Sequence, residues 1–408
     1  MKRFKQIIFS DFFDTLTNGA LVLFAYWYIY DVTHNQNYIS LLGLISMLAT
    51  LFTFIGGYFS DRMNRIALLK IVVLIRILNT SFGLVIYLLM NNPILGVMMT
   101  VVINSVLNIV YSPLTESIVP SIVHDRDDLV TANSWVSITN QLASVLSAGL
   151  SAIFIFFGSV GAGLVLSLIL YSVSYFLIGR LNSTQAPEAN HEASSSLSIQ
   201  TSNFFEGIKI IRSNTLIAVI VPIALVTNFC FWTVWLLMPK LSIDIFSEFK
   251  YMYNAVDLAF TVGSILGAFL VNAKHSDTKI FTAKSFPYFL FLQGFMILLI
   301  GFFSLLQRGI FGVVLAWLGY GICNATGSIL YFSTVQLSVP NQHIGMVIGA
   351  ILTIFSVANP IAAIASAPLS HLAATPSIVL CLGLVMMIAA IPVFSKKVIS
   401  DLIKVDAD

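Results

Sequence analysis

The chain has 408 residues, of which 58% are hydrophobic and only 9% are charged. A soluble domain carries about 25% charged residues, and the mean hydropathy of +0.93 excludes an ordinary soluble protein. The net charge of +2 is too small to indicate a nucleic-acid partner. The composition therefore predicts an integral membrane protein. Its three cysteines fall singly within apolar runs, so we expect neither a disulfide nor a metal site.

Twelve apolar runs follow one another along the sequence, each close to the roughly 20 residues that a helix needs to cross a bilayer core. The first six lie near 7–31, 38–59, 68–90, 94–114, 132–157 and 160–181. The other six lie near 214–238, 252–273, 286–306, 310–337, 345–371 and 376–395. We therefore predict an all-α membrane protein with twelve transmembrane helices.

A polar segment divides these runs into two groups of six. Residues 182–203 contain almost no apolar side chain, which is typical of a flexible linker. Residues 204–212 have the pattern of a short amphipathic helix at a membrane surface. The predicted domains are a six-helix bundle over 1–181, a linker with its short helix over 182–212, and a second six-helix bundle over 213–408.

The basic residues are distributed unevenly between the two predicted sides of the membrane. If the N-terminus is cytoplasmic, sixteen of the 20 Lys and Arg residues fall in cytoplasmic segments and three in outer loops. The remaining one, Arg76, lies within a helix. Because cytoplasmic loops of membrane proteins carry an excess of basic residues, we expect both termini and the linker to face the cytoplasm.

The two groups of helices share a polar pattern that indicates an internal repeat. In helices four and ten the matched positions are 220 residues apart, as Asn104 with Asn324, Asn108 with Ser328 and Tyr111 with Tyr331. In helices one and seven, Thr17-Asn18 matches Thr227-Asn228 at an offset of 210. Parallel repeats of six helices form a substrate site between two halves. Chance similarity between apolar segments is the alternative.

Helix one carries the strongest candidates for proton exchange, because ionisable residues inside a membrane are costly and mark functional sites. Asp11, Asp14 and Asn18 lie within an arc of about 60° on that helix, so we expect one polar face along a central cavity. Asp14, the deeper carboxylate, is the favoured proton-exchanging residue. The alternative for both aspartates is helix capping or pairing with basic residues of the loops.

Two further ionisable residues lie within predicted helices. Arg76 in helix three is predicted to pair with Asp14 or Glu116, in a structural or a gating role. Asp257 in helix eight is either a second proton site or an interfacial residue.

Polar and aromatic positions of helices four, seven and ten are the predicted wall of a substrate cavity. They are Asn104, Asn108, Tyr111, Asn228, Trp232, Asn324, Ser328 and Tyr331. Hydrogen bonding between packed helices is the alternative for the polar members. Trp232 is placed to stack on an aromatic ligand, whereas Trp235 is interpreted as an anchor at the membrane interface.

The loop after helix two reads Gly57-Tyr-Phe-Ser-Asp61-Arg62-Met-Asn64-Arg65. It resembles the G-x3-D-R-x-G-R signature of the major facilitator superfamily, which stands between the same two helices. Asn64 replaces the second glycine, and we expect it to adopt a left-handed turn, which Asn tolerates better than most residues. The resemblance implies a gating motif made of Gly57, Asp61, Arg62, Arg65 and Glu116.

Shorter motifs, among them residues 112–120, 128–133 and 345–349, resemble the branch of that superfamily that contains macrolide efflux pumps and enterobactin-type siderophore exporters. The resemblance implies the major facilitator fold, with two pseudo-symmetric six-helix bundles, in the bacterial cytoplasmic (inner) membrane. It further implies a monomeric, proton-coupled antiporter that exports small amphipathic molecules and confers multidrug resistance. A dedicated siderophore or metabolite exporter is the alternative, and an uptake symporter is the next.

Other classes of membrane protein find no support in the sequence. There is no Walker A sequence, so we do not expect ATP hydrolysis to supply energy. The HExxH and GxSxG motifs of hydrolases are also missing, and His and Cys are not clustered. We therefore predict a transporter without cofactor or metal, whose partners are a small-molecule substrate, protons and the lipid bilayer.

Overall fold

The computed structural model describes residues 2–52, 63–90, 92–122, 126–180, 206–273, 283–306, 309–340 and 343–405. These residues are helical apart from short turns, and no strand occurs among them. The predicted all-α class is confirmed.

Six long helices belong to the first of two compact units, Met1–Ser194. They are α1 (Lys2–Thr33), α2 (Gln36–Leu51), α3 (Arg65–Met90), α4 (Pro93–Ile122), α5 (Arg126–Phe157) and α6 (Val160–Gly179). Helix α1 packs against α5 and α6, α2 packs against α4, and α3 packs against α4 and α6. Polar residues cap two of the breaks, since Asn35 accepts a hydrogen bond from the start of α2 and Ser159 from the start of α6.

Six further long helices belong to the second unit, Ser195–Asp408. They are α7 (Thr215–Ile245), α8 (Met252–Ala273), α9 (Phe286–Ser304), α10 (Ile310–Ser338), α11 (Ile344–Leu372) and α12 (Thr375–Ala390). Each of these five pairings of the first unit recurs six helices later, as α7 with α11 and α12, α8 with α10, and α9 with α10 and α12. The packing therefore follows the internal repeat that the sequence predicts.

Short elements complete the second unit. Turns of 3-10 helix occupy Ala283–Ser285 and Ile391–Phe394, and the amphipathic helix α13 spans Lys396–Val405. Val398 and Leu402 of α13 are buried in one apolar core with Ile211, which belongs to the helical residues 206–213. The predicted domain boundaries stay a prediction, because most of the linker lies outside the described residues.

The long helices are built for a membrane. Within the described ranges, eleven of them are long and apolar enough to cross a bilayer. Helix α2 spans 16 residues, and most of the rest of its predicted run lies in 53–62, outside the described residues. Large apolar side chains stay exposed on their outer faces, such as Leu89 at 80% and Phe311 at 76%. Such surfaces are unfavourable in water and suited to lipid. The chain is a multi-pass membrane protein.

Several helices extend beyond the apolar runs from which they were predicted. Helix α4 continues to Ile122 rather than to residue 114, α5 begins at Arg126 rather than at 132, and α7 continues to Ile245 rather than to 238. A helix satisfies its own backbone hydrogen bonds, so it need not end where the hydrocarbon ends. Hydrophobicity marks the membrane core and not the helix ends.

The prediction of a left-handed turn at Asn64 is wrong. The side-chain Oδ1 of Asn64 accepts hydrogen bonds of 3.1 Å from the backbone N–H groups of both Ile66 and Ala67. Among the described non-glycine residues, only His34 has a positive φ. Asn64 is therefore the N-cap of α3, a role for which Asn is among the preferred residues.

Helices α8 and α10 approach each other most closely at glycines. A Cβ atom added to Gly263 would lie 2.1 Å from the carbonyl oxygen of Leu318, and one added to Gly321 would lie 2.3 Å from that of Phe260. Both distances are far below van der Waals contact. Small residues allow this approach, on which helix packing in a membrane depends.

We expect Gly263→Ala to lower the free energy of unfolding by about 1–3 kcal/mol, the usual cost of overpacking. The added methyl group must push α8 away from the α10 backbone. The thermal unfolding midpoint of the purified protein measures the effect. Gly349→Ala in α11 is the matched control, because a Cβ atom there meets nothing within 4 Å. Equal melting of the two variants would show that close α8–α10 contact is not needed.

Candidate functional site

A buried ion pair joins two helices of the first unit. Arg76 of α3 donates a hydrogen bond to Oδ2 of Asp14 in α1, and the two side chains are 0% and 1% exposed. Arg76 also donates from Nη2 to Oδ1 of Asn108 in α4, at 2.5 Å. The predicted pairing of Arg76 with Asp14 is therefore present in the structure.

The pair is incompletely satisfied. Oδ1 of Asp14 and Nε of Arg76 are buried, and neither has a hydrogen-bond partner among the described residues. Burying an ion is costly, and a partly satisfied pair does little for stability. Because one acceptor atom of Asp14 and one donor atom of Arg76 are left over, the pair fits a functional site better than a purely structural contact.

Tyr111 of α4 connects this pair to a second carboxylate. Its ring lies against the guanidinium group of Arg76, with 4.4 Å between Cζ and the ring centroid. Its hydroxyl group donates a hydrogen bond of 3.0 Å to Oδ1 of Asp11. Tyr111 therefore contacts Asp11 and Arg76, and Arg76 in turn pairs with Asp14. Asp14 is buried and Asp11 is half-buried.

These groups lie along a cavity of about 540 Å³ within the first unit, between α1, α2, α4 and α5. Its wall includes Asp11, Asp14, Asn18, Asn108 and Tyr111, with Ser and Thr hydroxyl groups between them. The predicted polar face of α1 therefore lines a cavity. The volume lies within the range of about 300–1,000 Å³ that is typical of small-molecule sites.

Asn104 occupies a different position. It is 1% exposed and lies inside the helix bundle, where it accepts a hydrogen bond of 3.0 Å from Asn79 and donates one of 3.2 Å to the hydroxyl group of Tyr171. It does not contribute to the wall of the cavity. These contacts correspond to the alternative reading, in which a polar residue joins packed helices.

A second cavity, of about 300 Å³, lies within the second unit between α7, α9, α10 and α11. All the residues of this unit that were predicted for a substrate cavity line it, namely Asn228, Trp232, Asn324, Ser328 and Tyr331. Much of the remaining wall is aromatic, and it includes Phe231, Phe286, Tyr320, Phe332 and Phe355. The first cavity is thus polar and acidic, whereas the second is aromatic.

An aromatic cluster continues from this second cavity into the bundle. Phe231 and Tyr320 stack with 5.3 Å between ring centroids and an angle of 2°. Trp235 packs against Phe231 and the fully buried Trp317. The interpretation of Trp235 as an anchor at the membrane interface is therefore wrong, because its ring faces the interior of the unit.

The other predicted site residues lie apart from these cavities or outside the described residues. Asp257 is half-buried in α8 and lines neither cavity. Gly57, Asp61 and Arg62 lie outside the described residues, Arg65 begins α3, and Glu116 lies in α4 with a side chain that is not described. The gating motif stays a prediction.

Sequence reasoning overlooked several residues that complete the two sites. Asn79 and Tyr171 form hydrogen bonds with Asn104 of α4. Phe231 and Tyr320 form a stacked pair of rings in the wall of the second cavity. A signal existed for Asn79, since it lies one turn after Arg76 on the same face of α3. Within the described ranges, no group of three or more His, Cys, Asp and Glu could hold a metal ion.

Comparison with known proteins agrees with this architecture. The family model of the Major Facilitator Superfamily matches residues 7–363. No curated protein sequence matches the chain.

Solved structures with the same fold are distant in sequence. The nucleoside transporter NupG is 13% identical with a TM-score of 0.74, and the alignment covers 99% of this chain and 100% of NupG. A POT family transporter in complex with a thioalcohol-conjugated peptide is 14% identical with a TM-score of 0.72, over 97% and 96% of the two chains. A bacterial homologue of the human lysosomal transporter Spinster is 11% identical with a TM-score of 0.63, over 100% and 96%. At these identities the likeness shows the fold alone.

We expect Arg76→Gln to destabilise the protein by about 3–5 kcal/mol, because it leaves Asp14 buried without its counter-charge. The double variant Asp14→Asn with Arg76→Gln should recover much of this loss, since neither charge remains. A double-mutant cycle on thermal unfolding measures the coupling. Lys240→Gln is the matched control, because the 3.1 Å pair of Lys240 with Asp244 is partly exposed and is worth only about 0.3–0.5 kcal/mol. Additive effects of the two site substitutions would contradict the assignment of a coupled pair.

Proposed function

The chain belongs to the major facilitator superfamily, and we propose that it is a secondary active transporter that exports small amphipathic molecules by alternating access in exchange for protons. Family membership points to a transporter rather than to an enzyme. The proposal adds the direction, the driving ion and the kind of cargo.

The single observation that carries proton coupling is the buried pair of Asp14 and Arg76 beside a polar cavity. Asp14 lines the cavity, so a proton can reach it, while Arg76 donates a hydrogen bond to its carboxylate group. A proton on Asp14 removes one of the two charges and leaves the other without its partner. Because an unpaired buried charge is very unfavourable, protonation favours a rearrangement that gives Arg76 a new partner or access to water.

Protonation of Asp14 would affect several helices, because the groups that contact Arg76 belong to different ones. Asp14 belongs to α1 and Arg76 to α3, while the other two contacts of the guanidinium group, Asn108 and Tyr111, belong to α4. Loss of the ion pair therefore weakens the link between α1 and the other two helices. Asp11 is near enough to Tyr111 to take part, through the hydrogen bond between them.

Other features of the sequence support the direction and placement that we propose. Sixteen of the 20 basic residues fall on the side that holds both termini and the linker, which supports a cytoplasmic location for all three. The chain carries no Walker A sequence, which supports an ion gradient as the energy source. Export from the cytoplasm of a bacterium by a monomer rests on the resemblance to efflux proteins.

We expect Asp14→Asn to abolish transport driven by a pH gradient while the protein stays folded. Asparagine cannot exchange a proton, but it can still accept a hydrogen bond from Arg76. The measurement uses proteoliposomes with an imposed pH gradient and three probes, ethidium, Hoechst 33342 and radiolabelled erythromycin. Asp244→Asn, at a partly exposed position, is the control and should transport as the wild type does.

Two results would contradict the proposal in different ways. Wild-type accumulation in Asp14→Asn under a pH gradient would exclude Asp14 as the coupling residue. Transport of the probes only in the direction of the proton gradient would show symport, and therefore uptake, instead of export.

A further inference from the structure

The cavity of the second unit contains a buried hydroxyl group without a hydrogen-bond partner. Tyr331 is 4% exposed, its ring packs against Phe286, Phe332 and Phe355, and its hydroxyl oxygen has no partner among the described residues. Tyr331 lines the cavity. Buried polar groups are almost always paired, so an unpaired one at a cavity wall indicates a partner that enters from the cavity.

The internal repeat explains why this hydroxyl group lacks a partner. Tyr331 matches Tyr111 at the 220-residue offset, and Tyr111 donates its hydroxyl hydrogen to Asp11. At the 210-residue offset, the positions that match Asp11 and Asp14 are Val221 and Ala224. The second unit therefore has the matching tyrosine, but apolar residues occupy the positions that match the two carboxylates. The hydroxyl group is therefore free to bind a ligand.

The wall beside Tyr331 is suited to a flat ring. Phe231 and Tyr320 are almost parallel, at 2°, and both line the cavity, as does the half-buried indole of Trp232. Aromatic pairs prefer offset-stacked or edge-to-face arrangements. A planar guest can extend the Phe231–Tyr320 stack, while a saturated ring of similar size cannot.

A second polar group faces the same cavity. The amide nitrogen of Asn228 donates 3.0 Å hydrogen bonds to the carbonyl oxygen of Phe355 and to Oδ1 of Asn359. A backbone carbonyl can only accept, so this contact determines which side-chain atom of Asn228 is nitrogen. Its Oδ1 is left as an acceptor at the cavity wall. Beside the aromatic wall, the cavity thus offers the hydroxyl group of Tyr331 and the amide oxygen of Asn228.

Among the described residues of the wall none has an ionised side chain, since its polar members carry amide, hydroxyl and indole N–H groups. We propose that this cavity binds an uncharged planar aromatic ring whose polar edge forms a hydrogen bond with the hydroxyl group of Tyr331. The inference rests on the proposed function, because it assigns a part of the transported molecule. Binding to the purified protein tests it without any transport step.

The experiment is equilibrium dialysis of the full-length protein against 7-methoxycoumarin, which is planar, uncharged and carries a carbonyl group. Tyr331→Phe keeps the ring and removes only the hydroxyl group, and we expect it to weaken binding about tenfold, as for the loss of one hydrogen bond. Binding of naphthalene, which has no polar edge, should not change. 7-Methoxyoctahydrocoumarin, the saturated analogue, should bind weakly to both proteins.

Matched variants separate this effect from a general loss of structure. Tyr288→Phe removes the hydroxyl group of a tyrosine that is 61% exposed, and Trp135→Phe alters an indole that is 56% exposed. Neither should change binding. Trp232→Leu should weaken binding of both 7-methoxycoumarin and naphthalene, because it removes a ring from the wall. We expect Tyr331→Phe to melt no lower than the wild type, since the lost hydroxyl group has no partner in the unliganded protein.

Each outcome decides the inference. The inference is overturned if the wild type and Tyr331→Phe bind 7-methoxycoumarin equally well. It is also overturned if the saturated analogue binds as tightly as 7-methoxycoumarin, or if the protein binds the cationic ring of ethidium and not 7-methoxycoumarin. If 7-methoxycoumarin binds through Tyr331 while no probe is transported, the site stands and the proposed function fails. If Asp14-dependent transport is found with no effect of Tyr331→Phe, the function stands and this inference fails.

Discussion

The ion pair between Asp14 and Arg76 is the contact on which the arrangement of the first unit depends. Neither ion can remain buried alone at acceptable cost, so α1 and α3 must keep the separation that holds them together. The guanidinium group also contacts Asn108 and Tyr111 of α4. One cation therefore links side chains of three helices. In the mechanism that we propose, one proton on Asp14 weakens these contacts and so links a local charge to a change of packing.

The second unit repeats the helix pairing of the first without an ion pair at the matching positions. Lipid tails are as apolar as leucine, so helices in a membrane associate through close packing and polar contacts rather than through the hydrophobic effect. The described contacts of this unit include the backbone approach at Gly263 and Gly321 and the rings around Trp317. The same scaffold is thus charged in one half and aromatic in the other.

The sequence predicted the helices and a carboxylate partner for Arg76, either Asp14 or Glu116, because both follow from strong local constraints. A run of about 20 apolar residues has few alternatives to a membrane helix, and a lone cation within a helix must find an anion. The helix ends and the direction of Asn104 could not be predicted. Asn104, Asn108 and Tyr111 share one face of α4, but a helix rotation of a few tens of degrees decides which of them meets the cavity. That rotation is set by Asn79 and Tyr171, which belong to other helices.

Tyr111 and Tyr331 show how an internal repeat separates structural from functional requirements. Both rings are about equally buried, at 5% and 4% exposed, so the ring is what the packing of α4 and of α10 requires. The hydroxyl groups differ, since one donates to Asp11 and the other has no hydrogen-bond partner among the residues that the structure describes. Phenylalanine would fill the same space at Tyr331 without the cost of an unpaired polar group. The hydroxyl group at that position is therefore better explained by a ligand than by the fold.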